Sequence, residues 1–258
     1  WSNGQTGMQL NNLITGFYNC IVTDAIGCVD SSNTFMVYQP DELVASISIT
    51  SNYNGSSLNC YGDSTAELTA IGSGGTGSYS YIWSNGDITS SINSLSAGTY
   101  SVSISDINGC QASDFLTITN PDSISFNFNL SNYNGSNISC NGFNDGEIEV
   151  NISGAVDINF SSIIWTDSIG TLIPSTNILN DTSLENLSSG IYNLSVLDIN
   201  GCSASSSVEL YQPDVLINNL STDSISCFGG NDGIAYSSPV GGTAPYQISW
   251  SNGSTNDT

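Results

Sequence analysis

The chain has 258 residues, with 23 acidic side chains and no Lys, Arg or His, so its formal charge is −23. Without His there is no Ser/His/Asp or Cys/His relay and no imidazole metal ligand; without Lys or Arg there is no Schiff-base amine, phosphate clamp or basic patch. Nucleic acid and anionic membranes would repel such a chain, and no apolar run approaches the roughly 20 residues of a membrane helix.

The sequence opens at Trp1, with no start Met and no basic signal-peptide n-region, and reads as an internal piece of a longer or processed chain. Trp1, Trp83, Trp165 and Trp250 are spaced 82, 82 and 85 residues apart, the regularity of a tandem repeat. Three of the four open W-S-N-G, whereas Trp165 is followed by Thr166-Asp167-Ser168. G-x-Y recurs at Gly16-Phe17-Tyr18, Gly98-Thr99-Tyr100 and Gly190-Ile191-Tyr192, and D-x-x-G-C ends at Cys28, Cys110 and Cys202. Pro-Asp closes each unit at Pro40-Asp41, Pro121-Asp122 and Pro213-Asp214. The predicted units are 1–40 (back part of a repeat), 41–121 and 122–213 (complete), and 214–258 (front part), with an insertion of ten residues within Thr166 to Ser189.

Each unit reads as strands. Tyr18 to Thr23, Tyr100 to Ser105 and Tyr192 to Leu197 alternate apolar and polar residues with period two, and so do Ala66-Leu68-Ala70 and Ile148-Val150-Ile152. The latter two runs end at Gly72 and Gly154, nine residues after Asp63 and Asp145. Asn108-Gly109 and Asn200-Gly201 are hairpin signals. No segment has sustained helical periodicity. About seven strands in about 80 residues predict an all-β fold, tandem immunoglobulin-like (PKD-like) β-sandwiches arranged end to end. G-x-Y fits the corner at which a Tyr bonds back to the backbone, and the central Trp falls on a core strand.

Cys227-Phe228-Gly229-Gly230-Asn231-Asp232-Gly233, then Gly241-Gly242-Thr243-Ala244-Pro245-Tyr246 and Trp250-Ser251-Asn252-Gly253, resemble the SprB repeat, C-x-G-x-x-D-G followed by G-G-T-x-P-Y and W-S-N-G. Two departures stand out: Gly154-Ala155-Val156-Asp157 replaces G-G-T, and Cys60-Tyr61-Gly62-Asp63-Ser64 is one residue short, with Ser for Gly. The resemblance implies a non-catalytic stalk segment of a very large surface adhesin of gliding bacteria, exported by type IX secretion and anchored at the outer membrane. It implies that neighbouring repeats are its partners and that any surface or polysaccharide ligand is bound elsewhere. Spacer modules of a secreted polysaccharide-degrading enzyme, or the subunit of a self-assembling extracellular filament, are the alternatives.

Seven cysteines in an exported repeat protein predict disulfides. Six are candidates: Cys60, Cys140 and Cys227 ahead of the second strand, and Cys28, Cys110 and Cys202 after the G-x-Y strand. Three pairings stay open: neighbour to neighbour (Cys60 with Cys202), within a repeat (Cys60 with Cys110), and across linkers (Cys28 with Cys60, Cys110 with Cys140). A strand of six to eight residues separates the two loops of one sandwich by roughly 20 to 25 Å, against the roughly 7 Å a disulfide spans. Cys20, in the register of Val102 and Leu194, is expected as a buried thiol.

Asp63, Asp145, Asp232, Asp24, Asp106 and Asp198 could offer oxygen to Ca²⁺, the one cofactor considered, but none forms an EF-hand loop, and capping of turns is the simpler role. No metal, cofactor or catalytic residue is assigned. Glu147 and Glu149 fall on the polar face of one strand, which implies no glycosidase cleft. Asp-Ser-Ile and Asp-Ser-Thr segments resemble an O-glycosylation signal of the same bacterial group, which makes Ser64, Ser123, Ser168 and Ser224 candidates, and N-x-S/T sequons include Asn54, Asn134 and Asn180. Tyr53 and Tyr133, each within S-N-Y-N-G-S, are expected to pack locally. With no cation present, mutual repulsion is expected to raise the carboxylate pKa values, so that stability would grow from pH 8 to pH 5 and with salt or Ca²⁺.

Overall fold

The computed structural model describes residues 1–154, 158–173 and 182–255, with the backbone alone at 158–162. Asp157, Asn180 and much of the stretch carrying the insertion lie outside the described residues.

Eighteen strands and no helix are present among the described residues. They are β1 (Gly16–Tyr18), β2 (Ile21–Thr23), β3 (Val29–Ser31), β4 (Phe35–Val37), β5 (Val44–Ile49), β6 (Ala66–Ser73), β7 (Ser80–Trp83), β8 (Ser91–Leu95) and β9 (Gly98–Ser105). They continue with β10 (Gln111–Ile118), β11 (Ser125–Leu130), β12 (Gly146–Ser153), β13 (Ile158–Asp167), β14 (Ser183–Leu187), β15 (Gly190–Asp198), β16 (Ser203–Leu210), β17 (Ile217–Asp223) and β18 (Ile234–Val240). Every pairing is antiparallel.

The same pair of three-stranded sheets occurs twice: β5-β6-β8 with β7-β9-β10, then β11-β12-β14 with β13-β15-β16. Each sandwich has six strands rather than about seven, because the Asn-, Gly- and Ser-rich stretch between the first two strands forms turns instead of a strand. By their contacts the residues form two compact units, Trp1–Asn52 with Ser64–Thr119, and Tyr53–Asp63 with Asn120–Thr258. The loop 53–63 is thus grouped with residues from 120 onward and not with the strands that flank it in sequence.

Alternation produces the cores. Along β12, Ile148 and Val150 are buried while Glu147 and Glu149 face solvent. The core of this sandwich also takes Ile163 and Trp165 from β13, Leu184 from β14, Leu194 and Val196 from β15 and Leu210 from β16, so both sheets contribute. Phe128 packs edge-on against Trp165 at 6.2 Å. In the other unit Leu68, Ala70, Trp83, Ile92, Val102, Ile104 and Ile118 are buried in the same pattern. There Asp114 on β10 accepts the amide of Ile47 on β5 at 2.8 Å, tying the edge strands of the two sheets.

The tyrosine corner occurs three times: the hydroxyls of Tyr18, Tyr100 and Tyr192 donate to the carbonyls of Ile14, Ser96 and Ser188, each four residues upstream. W-S-N-G is a tight turn, closed by amide-to-carbonyl bonds of 2.9 Å from Gly4 to Trp1, Gly86 to Trp83 and Gly253 to Trp250. After Trp165 the strand runs two residues further, so the turn moves to Asp167–Gly170, which accounts for the different residues there.

The Pro-Asp linkers are held by glycine. At Gly74, Gly154 and Gly241, with φ between +71° and +89°, a Cβ would lie 2.0–2.1 Å from the carbonyl oxygen of Glu42, Ser123 or Val215. Gly75 and Gly242 donate their amides to Asp41 and Asp214 at 2.8 Å. These three glycines lie fourteen residues beyond Cys60, Cys140 and Cys227. Gly74, and not Gly72, is thus the counterpart of Gly154, and the Cys60 copy is not short; its Asp is displaced by two positions. Gly72 instead lies within β6, where a Cβ would meet the Tyr79 ring at 3.0 Å.

Residues 1–40 form two ribbons, β1-β4 and β2-β3, with Phe35 against Trp1 and Tyr18 at 6.3 and 6.2 Å. Cys20 is only partly buried, contrary to the expectation from its register, because no second sheet covers its ribbon among the described residues. Gly154→Ala is predicted to destabilise the chain by a further 1–3 kcal/mol (roughly, as for overpacking) beyond Gly170→Ala, whose Cβ meets nothing within 4 Å at a similar φ of +84°. Chemical denaturation of the two variants checks this.

Candidate functional site

The one place where distant side chains are covalently joined is the loop 53–63. It begins with S-N-Y-N-G-S, in which Asn54 and Gly55 adopt φ of +52° and +94°, the dihedrals of a type I′ turn, and Tyr53 and Ser56 pair across it. Cys60 follows and is bonded to Cys202, with 5.6 Å between Cα atoms and 142 residues between them in sequence.

Each half of the bond is positioned by an aspartate. Cys202 ends the β15–β16 turn, where Asp198 Oδ1 accepts the amides of Asn200 at 2.9 Å and Cys202 at 2.8 Å. Cys60 donates its amide to Asp63 Oδ2 at 3.2 Å. Asn200 clasps the loop from both ends, accepting from Asn54 Nδ2 and donating through its own Nδ2 to the Asn59 carbonyl at 3.3 Å. Gly62 donates to Asn120 Oδ1 at 3.0 Å, which docks the loop on the linker. A cleft of about 390 Å³ beside the bond is lined by Tyr61, Pro121, Ser123, Ile124 and Ala204, among others. What this set provides is a covalent cross-link between its two loops.

Of the six candidate cysteines, Cys60 and Cys202 are bonded to each other, whereas Cys28, Cys110, Cys140 and Cys227 are exposed and form no disulfide within this chain. Neither the within-repeat pairing nor the linker pairings occur. Ser64, Ser123, Ser168 and Ser224 are all exposed and outside strands. Asn54, Asn59, Asn200 and Asn120 have partnering roles that sequence reasoning missed; the N-G pairs at 54–55 and 200–201 were the available signal. Tyr133 donates its hydroxyl to the Asp145 carbonyl at 3.0 Å within its own loop.

The aspartates cap turns. Asp24 and Asp106, like Asp198, take the amides of the residues two and four positions on. Asp145 and Asp232 instead take the amide and hydroxyl of Ser139 and Ser226. No group of three or more Cys, Asp or Glu that could hold a metal is present among the described residues.

These bonds reverse the electrostatic expectation. The amides of Cys28 and Thr171 hold Asp24 and Asp167 below the usual carboxylate range, and the hydroxyls of Thr89, Ser139 and Ser226 do the same for Asp87, Asp145 and Asp232. Burial pushes Asp106 up, but the amides of Thr76, Cys110 and Asn108 outweigh it and its pKa is lowered. Hydrogen bonding to the charged form, not repulsion between carboxylates, sets the direction. A depressed folded pKa contributes stability that is present above the unfolded value and lost as pH falls through the folded one. Thermal stability is therefore predicted to be flat or nearly so from pH 8 to 5 and to drop below about pH 4, where unfolded Asp titrates; melting curves across this range test the sign.

Closing a loop of this length lowers the unfolded chain's entropy, by a loop-closure estimate of about 5 kcal/mol. The Cys60→Ser/Cys202→Ser double variant is predicted to lose roughly 2–5 kcal/mol in denaturant titrations, with a smaller response to reductant than the parent chain.

The SprB repeat model matches the chain at residues 52–88, 132–157 and 219–255. No curated protein matches it. Among solved structures, a "tetra-tandem repeat in extending region of large adhesion protein" aligns with 19% identity and a TM-score of 0.25, covering 87% of this chain and 63% of that one. The "N-terminal eight Ig domains" of Down Syndrome Cell Adhesion Molecule align with 12% identity and a TM-score of 0.24, covering 90% of this chain and 43% of the other.

Proposed function

We infer, for a chain that carries SprB repeats at three places, that it is a force-transmitting stalk segment of a large bacterial surface adhesin, structural rather than catalytic. In this reading the full protein is anchored at the outer membrane, serves surface attachment and gliding motility, and binds its ligand with parts other than these repeats. The unbroken negative charge keeps such segments soluble and apart.

The observation that carries the reading is the bond joining residues 142 positions apart. Tension applied at the two ends of the chain passes from Cys60 directly to Cys202, so the residues between them are shielded from it. The folded strands in that interval, β6 to β15 and so five of the six strands of each sandwich, need not resist the load by hydrogen bonds alone.

Single-molecule stretching between the chain ends tests this. The oxidised chain is predicted to reach a fully extended length shorter than the reduced chain by roughly 500 Å, from 142 residues at about 3.3–3.6 Å each. Equal lengths with and without reductant would remove the mechanical argument.

A further inference from the structure

We propose that the Cys60–Cys202 bond is one instance of a general register, in which the cysteine after the first strand of each repeat is oxidised with the D-x-x-G-C cysteine of the next repeat. Cys140, Cys227, Cys28 and Cys110 are then half-sites whose partner is another copy of this repeat. The proposal rests on the repeat reading above and extends it from one bond to an overlapping ladder.

Three observations carry it. First, the donor loop is built twice. Cys60 and Cys140 each stand four residues beyond S-N-Y-N-G-S, with Asn54 and Asn134 at φ of +52° and +58° and the same bridges, Tyr53 to Ser56 and Tyr133 to Ser136. Both loops dock on the following linker, Gly62 on Asn120 at 3.0 Å and Gly142 on Gln212 at 2.8 Å. Both also reach forward from the turn tip, Asn54 to Asn200 and Asn134 to the Ala244 carbonyl.

Second, the receiving turn is built three times. Cys28, Cys110 and Cys202 donate their amides to Asp24, Asp106 and Asp198 at 2.8, 2.9 and 2.8 Å, so each thiol is held at the same place in its turn. Third, the register accounts for every unpaired member. The stretch 214–258 contains no D-x-x-G-C to receive Cys140, and 1–40 contains no S-N-Y-N-G-S loop whose cysteine would reach Cys110. Cys28 and Cys227 likewise have no counterpart in the sequence, and all four are exposed free thiols. Cys20, outside both motifs, is left as a thiol.

Formation of each bond removes two protons and two electrons from two thiols. The acceptor is a disulfide oxidant, whose own S–S bond is broken to two thiols. Because Cys140 lies within the loop closed by Cys60 and Cys202, successive bonds overlap, and each stretch of chain is bridged by at least one of them.

The test joins two full copies through their shared W-S-N-G, residues 1–253 followed by 5–258, which completes one repeat at the junction. After oxidation in a glutathione redox buffer, non-reducing peptide mapping with an Asp-specific protease is expected to show Cys60–Cys202 in both copies. It should also show Cys140 and Cys227 of the first copy bonded to Cys28 and Cys110 of the second. Free thiols should fall from the ten of two separate chains, five each, to six. Replacing Cys28 of the second copy by Ser should free Cys140 and leave the Cys227–Cys110 bond intact. Retention of both Cys60–Cys202 bonds with Cys140 and Cys28 still thiols, or Cys140 bonded within its own repeat, overturns the register. Absence of Cys60–Cys202 from the unfused chain instead overturns the mechanical reading.

Discussion

With no Lys, Arg or His in the chain, no side-chain cation compensates an aspartate that leaves bulk water, and N–H and O–H groups of the protein take that part. The turns are organised around that constraint. Asp24, Asp106 and Asp198 each gather the amides two and four residues on, which fixes the tight connection after the G-x-Y strand and the direction of the cysteine that ends it. Asp106 is 6% exposed and Asp198 8%, so both accept nearly complete desolvation with neutral donors as partners.

From these turns the rest follows outward. The turns at Asp106 and Asp198 each connect the two long strands of a sheet whose inner face carries the Trp and the aliphatic core, and the tyrosine corner pins the start of the first of those strands. A sandwich of this size buries a limited core, so constraints on the unfolded chain weigh heavily in its stability. The disulfide is such a constraint, a covalent loop, whereas the glycine lock on the Pro-Asp linker acts in the folded state, through a backbone approach that only glycine permits.

The disulfide also shows why the contact units depart from the sequence repeat. The loop 53–63 is flanked by β5 and β6 in sequence, but Asn200, Asn120 and Cys202 hold it, so it clusters with residues beyond 120. Repeat boundaries record how a unit is copied, whereas contact boundaries record where side chains find partners. The two coincide only when loops stay at home.

Several features were legible from residue order. The period shows in the recurrence of Trp every 82 to 85 residues, and the alternating strands, the inward Trp83 and Trp165 and the G-x-Y corner are local, set by spacing of two along a strand or four across a turn. The choice among cysteine pairings was not legible, because it depends on which loops meet across 142 residues. The counterpart of Gly154 was obscured because Asp63 is displaced; counting fourteen residues from the cysteine finds Gly74, and the approach of the Glu42 carbonyl gives the physical reason. The sign of the carboxylate shifts was not legible either. Composition counts charges, but a pKa responds to the few donors within hydrogen-bonding reach, and only the folded chain brings Thr76 to Asp106 or Ser139 to Asp145. What the sequence alone determined was therefore the repeating two-sheet unit, a matter of short-range periodicity; what tertiary structure decided was which loops, thiols and carboxylates meet, a matter of distances that residue order does not contain.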